Sequence, residues 1–385
     1  VSKTPQGRNI VTRSKEKSDH PYRLTYISRA RLHRARANVI QTVKTVEGLA
    51  RIGVSVDLHV PPWKGNRNLP NTLNALGVQR TFSIQAHNGL RSFWRALAFA
   101  PFFWRFGKPL REAPAVYTRS ADLSMALIRH RIPHNFEVHD MDTLRRQGVL
   151  DVLVDAYGKG LIRQFFPISR AAAVGLLEKG LDPHRVHVAP CGADLSLYAD
   201  MAPWDPSRLR HPHIMYVGRI SRDRGLDVLE RLARLDFCRV TVVGVLDDAP
   251  STNHIRVVSF VPHREIPRYL EQADILVMPY QRNLRHAASI SPMKLFEAMA
   301  AGRPIVVSDL EPIREIVQNG KTALCVKPDD GEAWEAAIRS LRDDPEAAQR
   351  MACQAQKEAA RYSWENRARI LRDTIFGKEP EHFHG

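Results

Sequence analysis

Residues 23–60 read as strand, basic loop, helix and strand, and that order restricts the fold more than any other feature of the chain. Arg23–Ser28 (RLTYIS) is the first strand, and RARLHRAR, Arg29–Arg36, is the loop. Asn38–Arg51 places Val39, Val43, Val46, Leu49 and Ala50 at helical spacing, and Gly53 stops it. Val54–Val60 is the second strand. A βαβ unit of this kind announces a parallel sheet. Ala115–Thr118, Asn135–His139, Phe166–Ser169 and Val186–Ala189 read as further strands, with helices between most of them.

Pro203–Pro212 holds three prolines and no periodic pattern, so it is the linker candidate. A second series follows. Its strands are His213–Val217, Val240–Val243, Ile255–Val258, the apolar Ala273–Pro279 (ADILVMP), Pro304–Ser308 and Ala323–Val326. Helices are expected from Leu226 to Leu235 and from about Glu265. The expected organisation is a flexible basic arm over 1–20, a first Rossmann-like domain over 21–205, and a second over 206–362. A helix and tail over 363–385 would return to the first domain. In doubly wound α/β halves the ligand sits outside the carboxyl ends of the strands.

With 385 residues, 44% hydrophobic and 25% charged, the composition is that of a soluble globular protein of about two domains. No apolar run approaches the roughly 20 residues that span a bilayer. The first twenty residues have no apolar core and so do not resemble a secretory signal. Cys191, Cys238, Cys325 and Cys353 are far apart and form no metal spacing, which suits reduced thiols in a cytosolic protein. The net charge of +16 is uneven. Residues 1–205 carry 30 Lys and Arg against 16 Asp and Glu, a net +14. Nucleic acid, an anionic membrane and an acidic small substrate are all open as partners at this point.

The stretch from Ser289 to Gly302 reads as a loop turning into a short helix. Ser291 suits the N-cap and Pro292 the first helical position. Leu295, Phe296 and Met299 give a buried face, and Gly302 a stop. Lys294 puts a cation in the first turn, where the free N–H groups already make a positive end. That arrangement suits a held anion: the amides of Met293 and Lys294 and the ammonium could grip a phosphate. A buried helix with Lys294 turned to solvent or to Glu297 is the bland alternative. The strand-end rule adds Arg219, directly after its strand, and Arg222 and Arg224 on the next loop. These cations and a helix N-terminus suit a diphosphate. Neither a Gly-rich dinucleotide fingerprint nor a P-loop occurs.

Several stretches carry a family likeness. IMYVGRISRDRGLDVLERLARL, FVPHREIPRYLEQADILVMPY and SPMKLFEAMAAGRPIVVSDLEPIREIVQNGKTALCVKPDD resemble the carboxyl-terminal domain of the retaining GT-B glycosyltransferases of family four. That family includes sucrose-phosphate synthases and bacterial mannosyltransferases. RARANVIQTVKTVEGLARIG, VYTRS, FEVHD, FPISRAAAVGLLEKGL and VHVAPCGADLSLY resemble its first half more loosely. The resemblance implies a GT-B fold, two Rossmann-like doubly wound domains facing across a cleft that takes a nucleotide-sugar donor.

By the same resemblance, Gly218 and Arg219 with Arg224 match the segment and basic pair on the donor diphosphate, with Arg224 in place of the usual Lys. Glu297 matches the second glutamate of the E-x7-E motif, on the ribose hydroxyls. Ser291, Met293 and Lys294 match the loop on sugar and phosphate, and Phe260 and Val261 the segment lining the base. His139 matches a histidine near the donor sugar. Ser289 stands where the family has its first glutamate, and RARAN replaces its glycine-rich first loop, which weakens any match of Ala37 or Asn38 to the phosphate.

The function implied is retaining transfer of a hexosyl group from a nucleoside-diphosphate donor, a UDP- or GDP-sugar, to a glycan, lipid-linked or small-molecule acceptor. It requires neither metal nor cofactor. The expected location is cytoplasmic or peripheral on the inner membrane face. The alternative is a non-catalytic nucleotide-sugar or glycan-binding protein, permitted by the loss at Ser289. Ser92–Lys108 (SFWRALAFAPFFWRFGK) mixes aromatic and basic residues. Contact with an anionic membrane and packing of helices on the core are its two readings. No motif supports nucleic acid as a partner.

Overall fold

The computed structural model describes residues 21–377 apart from 35, 64–68, 80–81, 92–98 and 285–290. The chain divides into two compact units. One holds the chain up to Pro167, Gly175–Ala189 and the residues from Ala368 on. The other holds Ile168–Val174 and Pro190–Arg367.

The first unit is built on six parallel strands: β1 (Arg23–Ile27), β2 (Ser55–Val60), β3 (Ser83–Ala86), β4 (Val116–Thr118), β5 (His134–Val138) and β6 (Ile162–Pro167). Their order in the sheet is β3-β2-β1-β4-β5-β6. Arg23 lies opposite Ser55, and Thr25 opposite Val116. The connecting helix Ala37–Arg51 buries Val39, Val43, Val46 and Leu49, as its spacing requires. The short polar strand β3 has no apolar pattern and was not expected. Val186–Ala189, expected as a strand, is not one. Only Val186 bridges Phe165, while the His187 and Ala189 amides donate to the Phe165 and Pro167 carbonyls at 2.9 and 2.8 Å. Pro190, with no N–H to donate, follows at once. The strand expected at Phe166–Ser169 starts earlier, at Ile162, because the polar Arg163 and Gln164 still alternate along it.

The second unit has six parallel strands in the order β12-β11-β10-β7-β8-β9. They are β7 (His213–Val217), β8 (Arg239–Val243), β9 (Ile255–Val258), β10 (Ile275–Met278), β11 (Ile305–Ser308) and β12 (Leu324–Val326). Every residue of β10 is buried, because helices cover both faces of a central parallel strand. The helix Trp364–Phe376 passes from one unit to the other. In the first unit its Phe376 ring meets the Tyr22 ring at 5.1 Å.

Both sheets are doubly wound. In the first, the chain runs β1, β2, β3 outward and then crosses to β4 on the other side of β1. In the second, it runs β7, β8, β9 and then crosses to β10 on the other side of β7. The switch points therefore lie at the carboxyl ends of β1 and β4, and of β7 and β10. Such points open a crevice for a ligand.

Candidate functional site

The loop after β7 and the helix after β10 meet at the switch point of the second sheet. Gly218 follows β7 with φ +148°, and a side chain there would collide with Lys294 Nζ. Only a glycine leaves room for that close approach. Lys294, in the first turn of the helix Met293–Ala300, donates to the Tyr216 hydroxyl at 3.0 Å. Its ammonium also lies over the Tyr216 ring at 4.3 Å and the Tyr280 ring at 5.3 Å. Two electron-rich ring faces and a hydroxyl therefore hold the cation in place. The Lys294 side chain as a whole is half-buried. Burial of its ammonium, with the Arg224 guanidinium nearby, lowers its pKa to about 7, against an upward pull from Glu297.

Arg224 sits on the short turn Arg222–Arg224, which Gly225 ends at φ +83°. A side chain at 225 would strike the Pro279 carbonyl, so the glycine lets this turn pack against the chain just past β10. Burial pushes the Tyr216 hydroxyl pKa up, and the nearby Arg224 guanidinium pulls against that push. Its buried Nε has no hydrogen-bond partner. A buried donor of this kind is costly unless something accepts from it. Arg219 is only partly joined to this group. Its carbonyl accepts from the Tyr216 hydroxyl at 2.7 Å, while its guanidinium pairs with Asp247 at 2.8 Å on a half-exposed surface. Arg222 pairs with Asp227 and, at 3.2 Å, with Glu230, which makes it a structural arginine.

Glu297 lies one turn beyond Lys294 and is 8% exposed. Its Oε1 is 2.6 Å from His263 Nε2, and the buried His263 Nδ1 has no partner. Burial first, and then the nearby Glu297 carboxylate, push the Tyr198 hydroxyl well above its usual pKa. Phe260 is 50% exposed on the loop after β9, while Val261 and Met293 pack half-buried against the core. Ser291 does not cap the helix. The helix begins at Met293 with Pro292 as its cap residue. The Ser291 hydroxyl instead accepts from the Cys191 amide at 3.1 Å and anchors that segment. Ser289 lies outside the described residues.

In the first unit, His139 directly follows β5. Its Nε2 bonds to Oε1 of Glu137, a fully buried carboxylate. Glu137 also accepts from Tyr117 and, at 2.5 Å, from Gln41 Nε2. Glu137, Tyr216, Tyr280 and His263 were all missed in the sequence. A carboxylate two residues before a histidine on a strand is the one signal that was available, since both fall on the same face.

Of Ser92–Lys108, residues 92–98 lie outside the described residues. The rest opens the helix Ala100–Glu112, in which Phe102 and Phe103 are buried among Leu110, Leu123 and Leu127. That is the core-packing reading for these aromatics. Trp104, at 90% exposure, projects outward with Arg105 and Lys108. Among the described residues no helix is long and apolar enough to cross a membrane, and no cluster of His, Cys, Asp and Glu could hold a metal ion. All four cysteines are free.

Residues 211–344 match the family model described as Glycosyl transferases group 1. Glycogen synthase of Mycobacterium tuberculosis (strain CDC 1551 / Oshkosh) is 33% identical over 187 residues, 43% of this chain and 44% of the relative. D-inositol 3-phosphate glycosyltransferase of Corynebacterium urealyticum is 27% identical over 237 residues, 53% of this chain and 54% of the relative. The chain thus spans about half the length of the curated relatives it matches. Anabaena Alr3699/HepE, solved in complex with UDP and glucose, superposes with a TM-score of 0.69 at 15% identity, covering 92% of this chain and 99% of that one. Sucrose-phosphate synthase from Thermosynechococcus elongatus gives 0.67 at 18% identity, covering 91% and 97%. The architecture is therefore the GT-B fold, and residues 211–344 are similar to the glycosyl transferases group 1.

Proposed function

We propose that the protein is a retaining glycosyltransferase that moves a sugar from a nucleoside-diphosphate donor to a hydroxyl acceptor. The observation that carries this reading is the gathering of Lys294 and Arg224 around Tyr216 at the second switch point, with the Arg224 Nε unpartnered. A diphosphate would supply the acceptors that this cationic group lacks. One relative is named glycogen synthase and another D-inositol 3-phosphate glycosyltransferase, and Alr3699/HepE is described with UDP and glucose. UDP- and GDP-sugars are the donors this reading favours.

In the transfer, the bond from the sugar anomeric carbon to the diphosphate oxygen breaks and a bond to the acceptor oxygen forms. The acceptor proton passes to the departing phosphate oxygen. Charge grows on that phosphate in the transition state, and Arg224, Lys294 and the amides opening the Met293–Ala300 helix stabilise it. Arg219 joins them by exchanging Asp247 for the phosphate. Glu297, oriented by His263, accepts from the ribose hydroxyls, while Phe260 and Val261 flank the base. In the first unit, Glu137 fixes the orientation of the His139 ring, and the acceptor is recognised by that unit.

The test is a panel of UDP-, GDP- and ADP-sugars. Bound donor should raise the melting temperature, and transfer into a cell-extract acceptor should yield a product that keeps the donor's anomeric configuration. Inverted product would remove the retaining mechanism. Tight donor binding without transfer or hydrolysis would favour a non-catalytic binding protein.

A further inference from the structure

The first sheet has its own switch point, and a strongly basic cavity lies there. The loop after β1 and the turn after β4 enclose a space of ≈ 420 Å³. Arg29, Arg31, Arg34 and Arg36 line it from one side, and Ser120 and Asp122 from the other. Asp122 neutralises Arg29. Among the described residues no acidic side chain pairs with Arg31, Arg34 or Arg36, all of which are exposed. Two other exposed arginines do have carboxylates: Arg222 pairs with Asp227 and Arg314 with Asp309.

The backbone adds to the same field. Arg36 and Ser120 are the cap residues of the helices Ala37–Arg51 and Ala121–Arg129, and neither side chain caps its helix. The first turn of Ala37–Arg51 holds no acidic residue. The N-terminus of Ala37–Arg51 therefore opens on a cavity that already carries three unneutralised guanidinium groups, while Asp122 takes up the Leu123 amide of the other helix. Like charges gathered so closely repel one another, and an anion placed among them relieves that repulsion. The guanidinium fork matches the oxygens of a phosphate.

We infer that this cavity binds a phosphate group carried by the acceptor. This rests on the transferase reading only in calling the ligand an acceptor. The binding itself stands on the first unit alone. A soluble sugar phosphate and a lipid phosphate headgroup offer the same chemistry, and both are probed below.

The experiment is calorimetric titration of the full chain with glucose 6-phosphate, and sedimentation with phosphatidylcholine vesicles with or without phosphatidate. Saturating UDP or GDP is present throughout to fill the donor site. Either or both phosphate probes should bind, and binding should weaken as salt rises. The Arg31→Ala/Arg34→Ala variant should lose tenfold or more in affinity. Because both positions are exposed, its melting temperature should stay close to that of the wild type. Arg31→Lys/Arg34→Lys should fall between the two, keeping the charge without the fork. Lys294→Ala should bind the phosphate probe as the wild type does. Binding of glucose 6-phosphate alone assigns a soluble ligand, and sedimentation with phosphatidate vesicles alone assigns a lipid one. Absence of binding to both, or equal affinity in the wild type and the double alanine variant, would overturn the inference. Phosphate binding without any donor turnover would leave the cavity assigned and refute the transferase. Donor turnover without phosphate binding would do the reverse.

Discussion

Lys294 donates to the Tyr216 hydroxyl at 3.0 Å, and that hydroxyl donates in turn to the Arg219 carbonyl at 2.7 Å. The relay ties the first turn of one helix to the loop beyond a neighbouring strand. It holds the ammonium at the carboxyl ends of β7 and β10, where the proposed donor diphosphate would bind.

The Lys294 pKa of about 7 makes donor binding depend on pH. A bound diphosphate favours the charged ammonium and raises that pKa, so above pH 7 binding must take up a proton. Affinity for a nucleotide sugar, whose diphosphate does not titrate there, should fall as pH rises from 7 to 9. Calorimetry in buffers of different ionisation enthalpy measures the proton directly. No uptake at pH 8.5 would show that Lys294 is already charged without ligand.

Gly218 is the position where a methyl group would do most harm to the site. Its φ is +148°, and a Cβ would meet Lys294 Nζ. Gly218→Ala should raise the donor Kd at least tenfold, since the lysine must leave Tyr216. Equilibrium titration with UDP-glucose and GDP-mannose checks this, and an unchanged Kd for the donor that binds would contradict it.

The Glu297–His263 contact predicts a ribose effect. Glu297→Gln should weaken a ribonucleotide diphosphate more than its 2′-deoxy analogue, and His263→Ala should do the same more mildly by freeing the carboxylate. Parallel titrations of the two ligands suffice. Equal losses would move Glu297 away from the ribose.

Glu137 is a stability prediction. Its buried carboxylate accepts from Gln41, Tyr117 and His139, so Glu137→Ala strands three donors. The expected cost is about 3 kcal/mol in urea unfolding. A loss within 0.5 kcal/mol, roughly the scale of a surface change, would mean water replaces the carboxylate.

Much of this arrangement is legible along the chain. Apolar runs bounded by Gly and Pro locate β7 and β10, and Leu295, Phe296 and Met299 locate the helix between β10 and β11. Lys294 stands out because a cation in a first turn opposes the helix dipole. What pairs with it does not stand out. Tyr216 is 78 positions away and His263 is 34 from Glu297, and neither residue type signals its partner. Ser291 has the chemistry of a cap, yet its hydroxyl is taken by the Cys191 amide, a tertiary contact that overrides local preference. The arginines of the first loop are plain in the sequence. That Asp122 pairs with Arg29 and that, among the described residues, no carboxylate pairs with Arg31, Arg34 or Arg36 is visible only once the loop is folded.

The most direct test of the central claim is single-turnover release of nucleoside diphosphate from a nucleotide sugar, in the presence of cell-extract acceptor, by the wild type and Lys294→Ala. Removing one preorganised group that stabilises transition-state charge costs roughly 10²–10³ in rate. The account predicts release by the wild type and a loss of that size in the variant, with the fold intact by circular dichroism. Release at equal rates by both proteins would contradict it.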